Sequence, residues 1–431
     1  MFVSTTGNDD SGNNNCQNIA APCLTIQAAV EQAALTGEDD VINVAAGNYT
    51  DTGGTEAFAE ISAGNNVNIV GAGAQNTVLN CPGNSGCRGM MVSSGATVSA
   101  SNLTIQNGQD SSTDAEGTGI RNSGNLTLNN VIIQNNNTFD SDGGGIFNGS
   151  FDPMEPPATL LILNSTISGN RARGTGGGIA NGGGGNDMAV GVLTMVNCTV
   201  SGNTSGTDSD GNSAGGGIFN HNGSSTTLFN VTIANNTANN TNGTVNGGGG
   251  IHNNGGNLFI NNTLIADNND ASSADANDCL GVIGSTEGHN LVEDTTGCTL
   301  AGTIAGNITG VDPTLGALAD NGGPTPTHAL LESSVAIDSG DPAGCIDNTG
   351  ANQTTDQRGS NRPVAGISGD APVCDIGAFE AAAGTTPNGG GGGGCSITQT
   401  DTSTGNILLA SLLLSALFGF YGVRRKGRAS H

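Results

Sequence analysis

Four segments of this chain read Gly-Gly-Gly-Ile-x-Asn, closing on Ile146-Phe147-Asn148, Ile179-Ala180-Asn181, Ile218-Phe219-Asn220 and Ile251-His252-Asn253. A weaker copy, Gly117-Thr118-Gly119-Ile120-Arg121-Asn122, precedes them. A second unit, apolar-x-apolar-x-Asn-x-x-Ile/Val, follows each and also precedes the first, with an Asn column of Asn102, Asn130, Asn164, Asn197, Asn230 and Asn262. The last four Asn steps are 34, 33, 33 and 32 residues. A unit this short cannot bury an apolar face alone, so equivalent units must stack, each covering the next.

Within the second unit apolar residues alternate, which is the period of a strand and not of a helix. Around Asn197, the side chains Leu193, Met195, Cys198 and Val200 share one face, and the phase slips at the Asn. A slip of this kind marks a corner. Asn tolerates the left-handed backbone region, and its amide can bond to the equivalent amide ~4.8 Å away on the next rung. The Gly triplets suit a tight bend with positive φ. The expected architecture is all-β, a right-handed parallel β-helix with three faces and a variable loop before each Gly-rich strand. Cys198 shares its inward column with Leu103, Val131, Ser165, Val231 and Thr263, and reads as a small core residue rather than a reactive thiol.

Composition agrees. Gly supplies 73 of 431 residues, but in place rather than at every third position, which excludes collagen. It also disfavours a helical domain by ~1 kcal/mol per Gly relative to Ala. Ten basic residues face 37 acidic ones, and four of the ten lie beyond residue 423. No basic patch is left for a nucleic acid. An acidic body attracts cations, of which Ca²⁺ is the one to expect, and equally serves as a solvated surface.

The two ends read differently from the middle. Thr25 can N-cap a helix whose Ile26, Ala29, Val30 and Ala33 share one face, a capping helix over the first rung. Asp40 to Tyr49 is then the first coil strand. Eight cysteines fall in close pairs, Cys16-Cys23, Cys81-Cys87, Cys279-Cys298 and Cys345-Cys374. Many connectivities are open to them, and nearest-neighbour pairing in an oxidising compartment is the simplest. After Met1 no basic stretch with an apolar run follows, so an export signal is expected to be missing from this sequence. At the other end six Gly precede Cys395, an apolar run spans 407–423, and a basic tail ends the chain. Seventeen residues reach the lower limit for a transmembrane helix, with the basic end cytoplasmic. The expected layout is an N-terminal cap at 1–40, coil repeats at 41–270 and a C-terminal end or cap at 271–380. A Gly-rich linker at 381–406, a membrane segment at 407–423 and a cytoplasmic tail at 424–431 follow.

The opening, Thr25-Ile26-Gln27-Ala28-Ala29 to Gly47-Asn48-Tyr49, resembles that of pectate-lyase-like β-helix proteins. A stretch from about 262 to 380 is more specific. It contains Gly288-His289-Asn290-Leu291-Val292, Asp320-Asn321-Gly322-Gly323-Pro324, Asp356-Gln357-Arg358-Gly359 and Cys374-Asp375-Ile376-Gly377-Ala378-Phe379-Glu380. It is similar to the choice-of-anchor Q domain of bacterial surface proteins, departing from it at Ser334-Val335. That resemblance implies export to the bacterial cell envelope and an anchor at the C-terminus. The tail is similar to Gly-rich sorting signals with a Cys, which implies an intramembrane protease partner and processing near Cys395. It implies no established activity. Asp356, Arg358 and Arg362 are placed to form a buried ion-pair network. His328 reads as a hydrogen-bonded structural residue, since no nucleophile motif stands near it.

Two candidate sites remain. Loops before successive Gly-rich strands carry Asp140 and Asp142, then Arg171 and Arg173, then Asp208 and Asp210. They are either a solvated edge of weak ion pairs or an edge that binds Ca²⁺ or a sugar acid. One residue after each inward Ile comes Arg121, Phe147, Ala180, Phe219 and His252. Alternation sends this column outward, where Arg121, Phe147, Phe219 and His252 either meet a sugar ring or lie under neighbouring loops. No catalytic motif and no cofactor motif stands out. The expected protein is an exported, anchored β-helix that is structural, adhesive or carbohydrate-binding, meeting an extracellular polysaccharide or another cell. The alternative is an anchored polysaccharide lyase or glycoside hydrolase on the same fold.

Overall fold

The computed structural model describes residues 1–9, 14–50, 57–82, 86–110, 116–139, 141–151, 154–183, 189–206, 214–239, 247–271, 276–285, 287–365 and 371–382. Asp140, Asp208, Asp210, Cys395, the membrane segment 407–423 and the tail 424–431 lie outside these residues.

The chain winds as an all-β parallel solenoid. Its Ile-x-Asn strands, Ile120–Asn122, Ile146–Asn148, Ile179–Asn181, Ile218–Asn220 and Ile251–Asn253, pair in parallel with Ile against Ile and Asn against Asn. A second sheet is built from long strands such as Asn125–Gln134, Gly191–Ser201 and Ser225–Ala234. A third holds two-residue strands, from Gln109–Asp110 through Arg171–Ala172 to Asn269–Asp270. Leu126, Leu128, Leu160, Ile162, Leu193, Met195, Leu228 and the Ile of each short strand fill one continuous core. Cys198 is fully buried in it, and burial pushes its thiol up to about 12.

The long strands bend at the expected Asn column. Asn102, Asn130, Asn164, Asn197, Asn230 and Asn262 all have φ between 46° and 58°. Their side-chain ladder is broken, however. Asn262 donates to Asn230 Oδ1 at 2.8 Å and Asn130 to Asn102 Oδ1 at 3.3 Å. Asn197 reaches Asn164 Oδ1 only at 3.5 Å and donates at 3.0 Å to Gln353 Oε1 of the C-terminal segment, Asn230 turns to Ile346 O of that segment, and Asn164 turns to Asn129 Oδ1. The unbroken ladders are elsewhere. One is formed by the Ile-x-Asn residues, Asn122 to Asn148 to Asn181 to Asn220 to Asn253. The other runs Asn136, Asn170, Asn203, Asn236, Asn268. Asp278 ends that second ladder, accepting from both N and Nδ2 of Asn268.

The Gly triplets do two jobs. The first Gly takes positive φ, as at Gly176 (64°). The second is set by close approach: a Cβ on Gly177 would sit 2.5 Å from Gly216 O of the next rung.

Phe2–Val3 already forms a parallel strand against Asn43–Val44, so the coil begins well before Asp40. Cys16 O and Cys23 N bond the other edge of that strand. Helix α1 (Ile26–Ala33) forms as expected, with Thr25 Oγ1 accepting from Ala28 N at 3.2 Å, and buries Ile26, Ala29, Val30 and Ala33 in the main core. All four nearest-neighbour disulfides are present. Among the described residues no helix is long and apolar enough to cross a membrane.

At the far end Cys279–Ser285, Leu291–Val292, Cys298–Gly302 and Ile308–Thr309 continue the parallel pairing. The chain then turns back along the flank of the coil, over the half of the long strands that follows the Asn corner. Gln357 reaches Thr166 and Thr199 there, and Thr232 Oγ1 accepts from Ala378 N. Leu264, Leu291, Leu330, Ala336, Ile376 and Phe379 form a second core beneath it.

Candidate functional site

The outward column beside the Ile-x-Asn strands does not face solvent. Phe147 and Ala180 are fully buried, and Phe219 and His252 are 5% and 8% exposed. The segments around Ser150 and Val190 bond to each other across the top, Ser150 N to Val190 O at 3.1 Å and the reverse at 3.2 Å. Phe151 stacks on Phe147 at 5.4 Å between ring centroids. Phe219 meets His252 edge-on at the same distance. Burial pushes the His252 imidazole down to about 4. Arg121 sits over the Phe151 ring at 5.4 Å and pairs with the buried Glu116 at 3.9 Å. Of the two readings of this column, the covered one holds for Phe147, Phe219 and His252, which are buried, with the segments 150–151 and 189–190 lying over Phe147, while Arg121 stays part-exposed at its end.

The acidic edge is only partly described. Asp142 Oδ1 accepts from Thr175 N at 2.6 Å and Thr175 Oγ1 at 2.9 Å, so this carboxylate braces the loop of the next rung. Arg171 stands exposed in register with Asn137 and Thr204. Its expected partners Asp140, Asp208 and Asp210 lie outside the described residues.

Among the described residues one grouping could hold a metal ion: Asp267, Glu293 and Asp312, with one oxygen of each within 4.8 Å of the others. Hard cations take such oxygen sets. Glu293 Oε2 also accepts from Asp267 N at 2.9 Å, and burial together with Asp312 raises the Asp267 carboxyl. Sequence spacing did not bring these three together. The signal was the register of Ile265 against Val292, which carries on to set Glu293 opposite Ala266, one residue from Asp267.

The C-terminal motifs form the clasp that holds the flank. Arg358 pairs with Asp356 at 2.6 Å, and its guanidinium lies 3.6 Å from the Phe379 ring centroid. Arg362 pairs with Glu380 at 2.9 Å, both side chains buried, and donates to Asp375 O and Gly377 O. The expected network therefore gains Glu380. Burial and the adjacent Glu380 push Asp375 up to about 7, although Asp338 N and Ala381 N donate to it. His328 is buried between Ser201 Oγ (2.8 Å) and Gly316 O (2.7 Å), a structural residue as expected.

Among the described residues, one face is left largely uncovered. Before the Asn corner, the long strands turn alternate side chains outward: Thr97, Asn125, Thr159 and Val192 in one column, Ser99, Thr127, Leu161 and Thr194 in the next. The loop tip at Asn348 overhangs them, closing a shallow groove of about 260 Å³. A further groove of about 360 Å³ lies beside it toward Asp39 and Val41, and one of about 250 Å³ lies at Phe259 and Gly302.

No protein-family description matches the chain, and no curated protein matches it. Solved structures similar to it include a pectate lyase (18% identity, TM-score 0.34, 88% of this chain and 96% of that one). A pectin methylesterase in complex with a hexasaccharide aligns at 14% identity and TM-score 0.32, over 66% of this chain and 70% of that one. An alginate lyase from Paenibacillus sp. aligns at 16% identity and TM-score 0.32, over 67% and 94%. At these values they assign neither reaction nor substrate to this chain.

Proposed function

We propose that the chain is an exported solenoid, held at the cell envelope by its C-terminal segment, that binds extracellular polysaccharide without turning it over. One observation carries the binding half: apart from the Asn348 loop tip, no described residue covers the outer face of the long sheet over successive rungs, while Phe147 and Ala180 of the short-strand column lie under a loop and the other half of the long strands lies under the C-terminal segment. A solenoid offers an extended ligand such a repeating surface. The reading takes the coil as right-handed and α1 as the cover of its first rung. It takes the segment from about 262 to 380 as a choice-of-anchor Q-like module, and the Cys395 region as the sorting signal.

Two measurements test it. Affinity electrophoresis against a panel of neutral and acidic polysaccharides should retard the protein in at least one gel, and free migration in all of them refutes binding. Fractionation of the producing cells should place the protein in the envelope with its C-terminus processed near Cys395. A full-length chain in the soluble fraction refutes the anchor.

A further inference from the structure

Along the bare face, two side-chain columns run parallel to the solenoid axis. Rungs are ~4.8 Å apart, and outward residues along one strand are ~6.6 Å apart. The result is a flat lattice of hydroxyls and amides with apolar patches at Leu161 and Val192. Thr159 Oγ1 donates to Asn125 Oδ1 at 2.6 Å, and Ser99 Oγ to Asn68 Oδ1 at 2.8 Å, so part of the lattice is preset. Thr127 and Thr194 both line the Asn348 groove, and their hydroxyls have no hydrogen-bond partner among the described residues.

The face also stands out by charge. In a chain with 37 acidic residues, neither column carries a charge from Asn66 and Asn68 to Asn257 and Phe259. No cation stands there to hold a uronate, and the acidic body repels polyanions. What suits it is a ligand of hydroxyls and apolar ring faces. The repeat along the axis suits a ligand that itself repeats at about the length of one sugar ring.

Resting on the polysaccharide reading above, we propose that the groove beneath Asn348 binds one extended, uncharged polysaccharide chain lying along the solenoid axis, with its hydroxyls on Thr97, Asn125, Thr127 and Thr194 and a ring face on Leu161. Several weak contacts at fixed spacing add up along such a chain, so affinity should climb with chain length.

The test is calorimetric titration of the whole protein with neutral β-linked oligosaccharides of increasing length, and with oligogalacturonate with and without Ca²⁺. The variants are Thr127→Val, Thr194→Val and Leu161→Asp, all at solvent-facing positions, with the thermal midpoint as the folding control. Neutral oligomers should bind more tightly as they lengthen. Each Thr→Val should weaken them about fivefold and Leu161→Asp at least tenfold. Neutral binding that ignores all three variants overturns this face as the site and leaves the polysaccharide reading standing. Binding of oligogalacturonate alone overturns the uncharged ligand. No binding of any sugar removes the polysaccharide reading itself.

Discussion

Asn203 is the middle of the unbroken inner ladder, and its removal can be worked bond by bond. Its Oδ1 accepts from Asn170 N and Asn170 Nδ2, both at 2.9 Å. Its Nδ2 donates to Ile167 O at 3.0 Å and Asn236 Oδ1 at 2.9 Å. Asn203→Ala deletes all four bonds. Two neighbours keep a partner, since Asn170 Nδ2 still reaches Ile133 O and Asn236 Oδ1 still accepts from Asn203 N. Asn170 N is left with none, inside a core where Asn203 is fully buried. One orphaned buried N–H costs ~1–3 kcal/mol, and each of the three further lost bonds ~0.5–1.5 kcal/mol, so the expected loss is about 5 kcal/mol. Asn203→Asp separates bonding from shape. It keeps the acceptor for Asn170 but sets an oxygen against Ile167 O and Asn236 Oδ1, and should cost at least as much at pH 7. Urea denaturation followed by circular dichroism gives the total, and hydrogen exchange at the Asn170 amide gives the local effect. A loss under ~1 kcal/mol, or unchanged protection of Asn170, refutes the reasoning.

Other perturbations follow from the same structure. Phe147→Ala empties a fully buried ring site and should destabilise by ~3–5 kcal/mol; an unchanged thermal midpoint would show the column to be surface after all. Arg362→Met leaves the Glu380 carboxylate buried without its counter-charge, at a cost of ~3–5 kcal/mol, whereas the double variant with Glu380→Gln, which removes the charge and keeps an acceptor for the Val364 and Asp375 amides, should recover part of it. Limited proteolysis within 310–382 reads this, and equal cleavage of wild type and Arg362→Met would contradict the clasp. His252, depressed by burial to about 4, supplies stability that is present above its unfolded value near 6.5 and is lost as pH falls toward 4. Its imidazole should stay neutral in an NMR titration at pH 6, and protonation there refutes the seam. Asp278 acts in the opposite sense: burial raises it to about 7, so its contribution is complete below its unfolded value near 3.9 and fades as pH rises through 7. Amide exchange at Asn268 should quicken between pH 5 and pH 8 beyond the intrinsic base-catalysed trend, and a match to that trend counts against it.

Periodicity carried the coil itself. The Asn column named its corners residue by residue, and the left-handed φ at each of the six follows from the strand phase slipping there. Local chemistry was enough for α1 and for the four disulfides. Which Asn side chains form continuous ladders was not legible, because a side chain at a corner chooses between the rung above and whatever lies outside. Asn197 and Asn230 face a segment more than a hundred residues away in sequence.

The same limit separates the columns. Alternation states that Phe147 and Thr127 both leave the coil, and both do. It says nothing of what meets them outside. Phe147 is covered because residues near Ser150 and Val190 bond across it, and Thr127 stays half-exposed because the C-terminal segment crosses the other half of the long strands and sends only the Asn348 loop tip over this one. A repeat of 32 to 34 residues determines the solenoid, since register along each rung is a local matter of bonds and side-chain parity. Tertiary structure alone decides which outer face reaches water, since covering a face depends on loops and a returning segment whose contacts have no period.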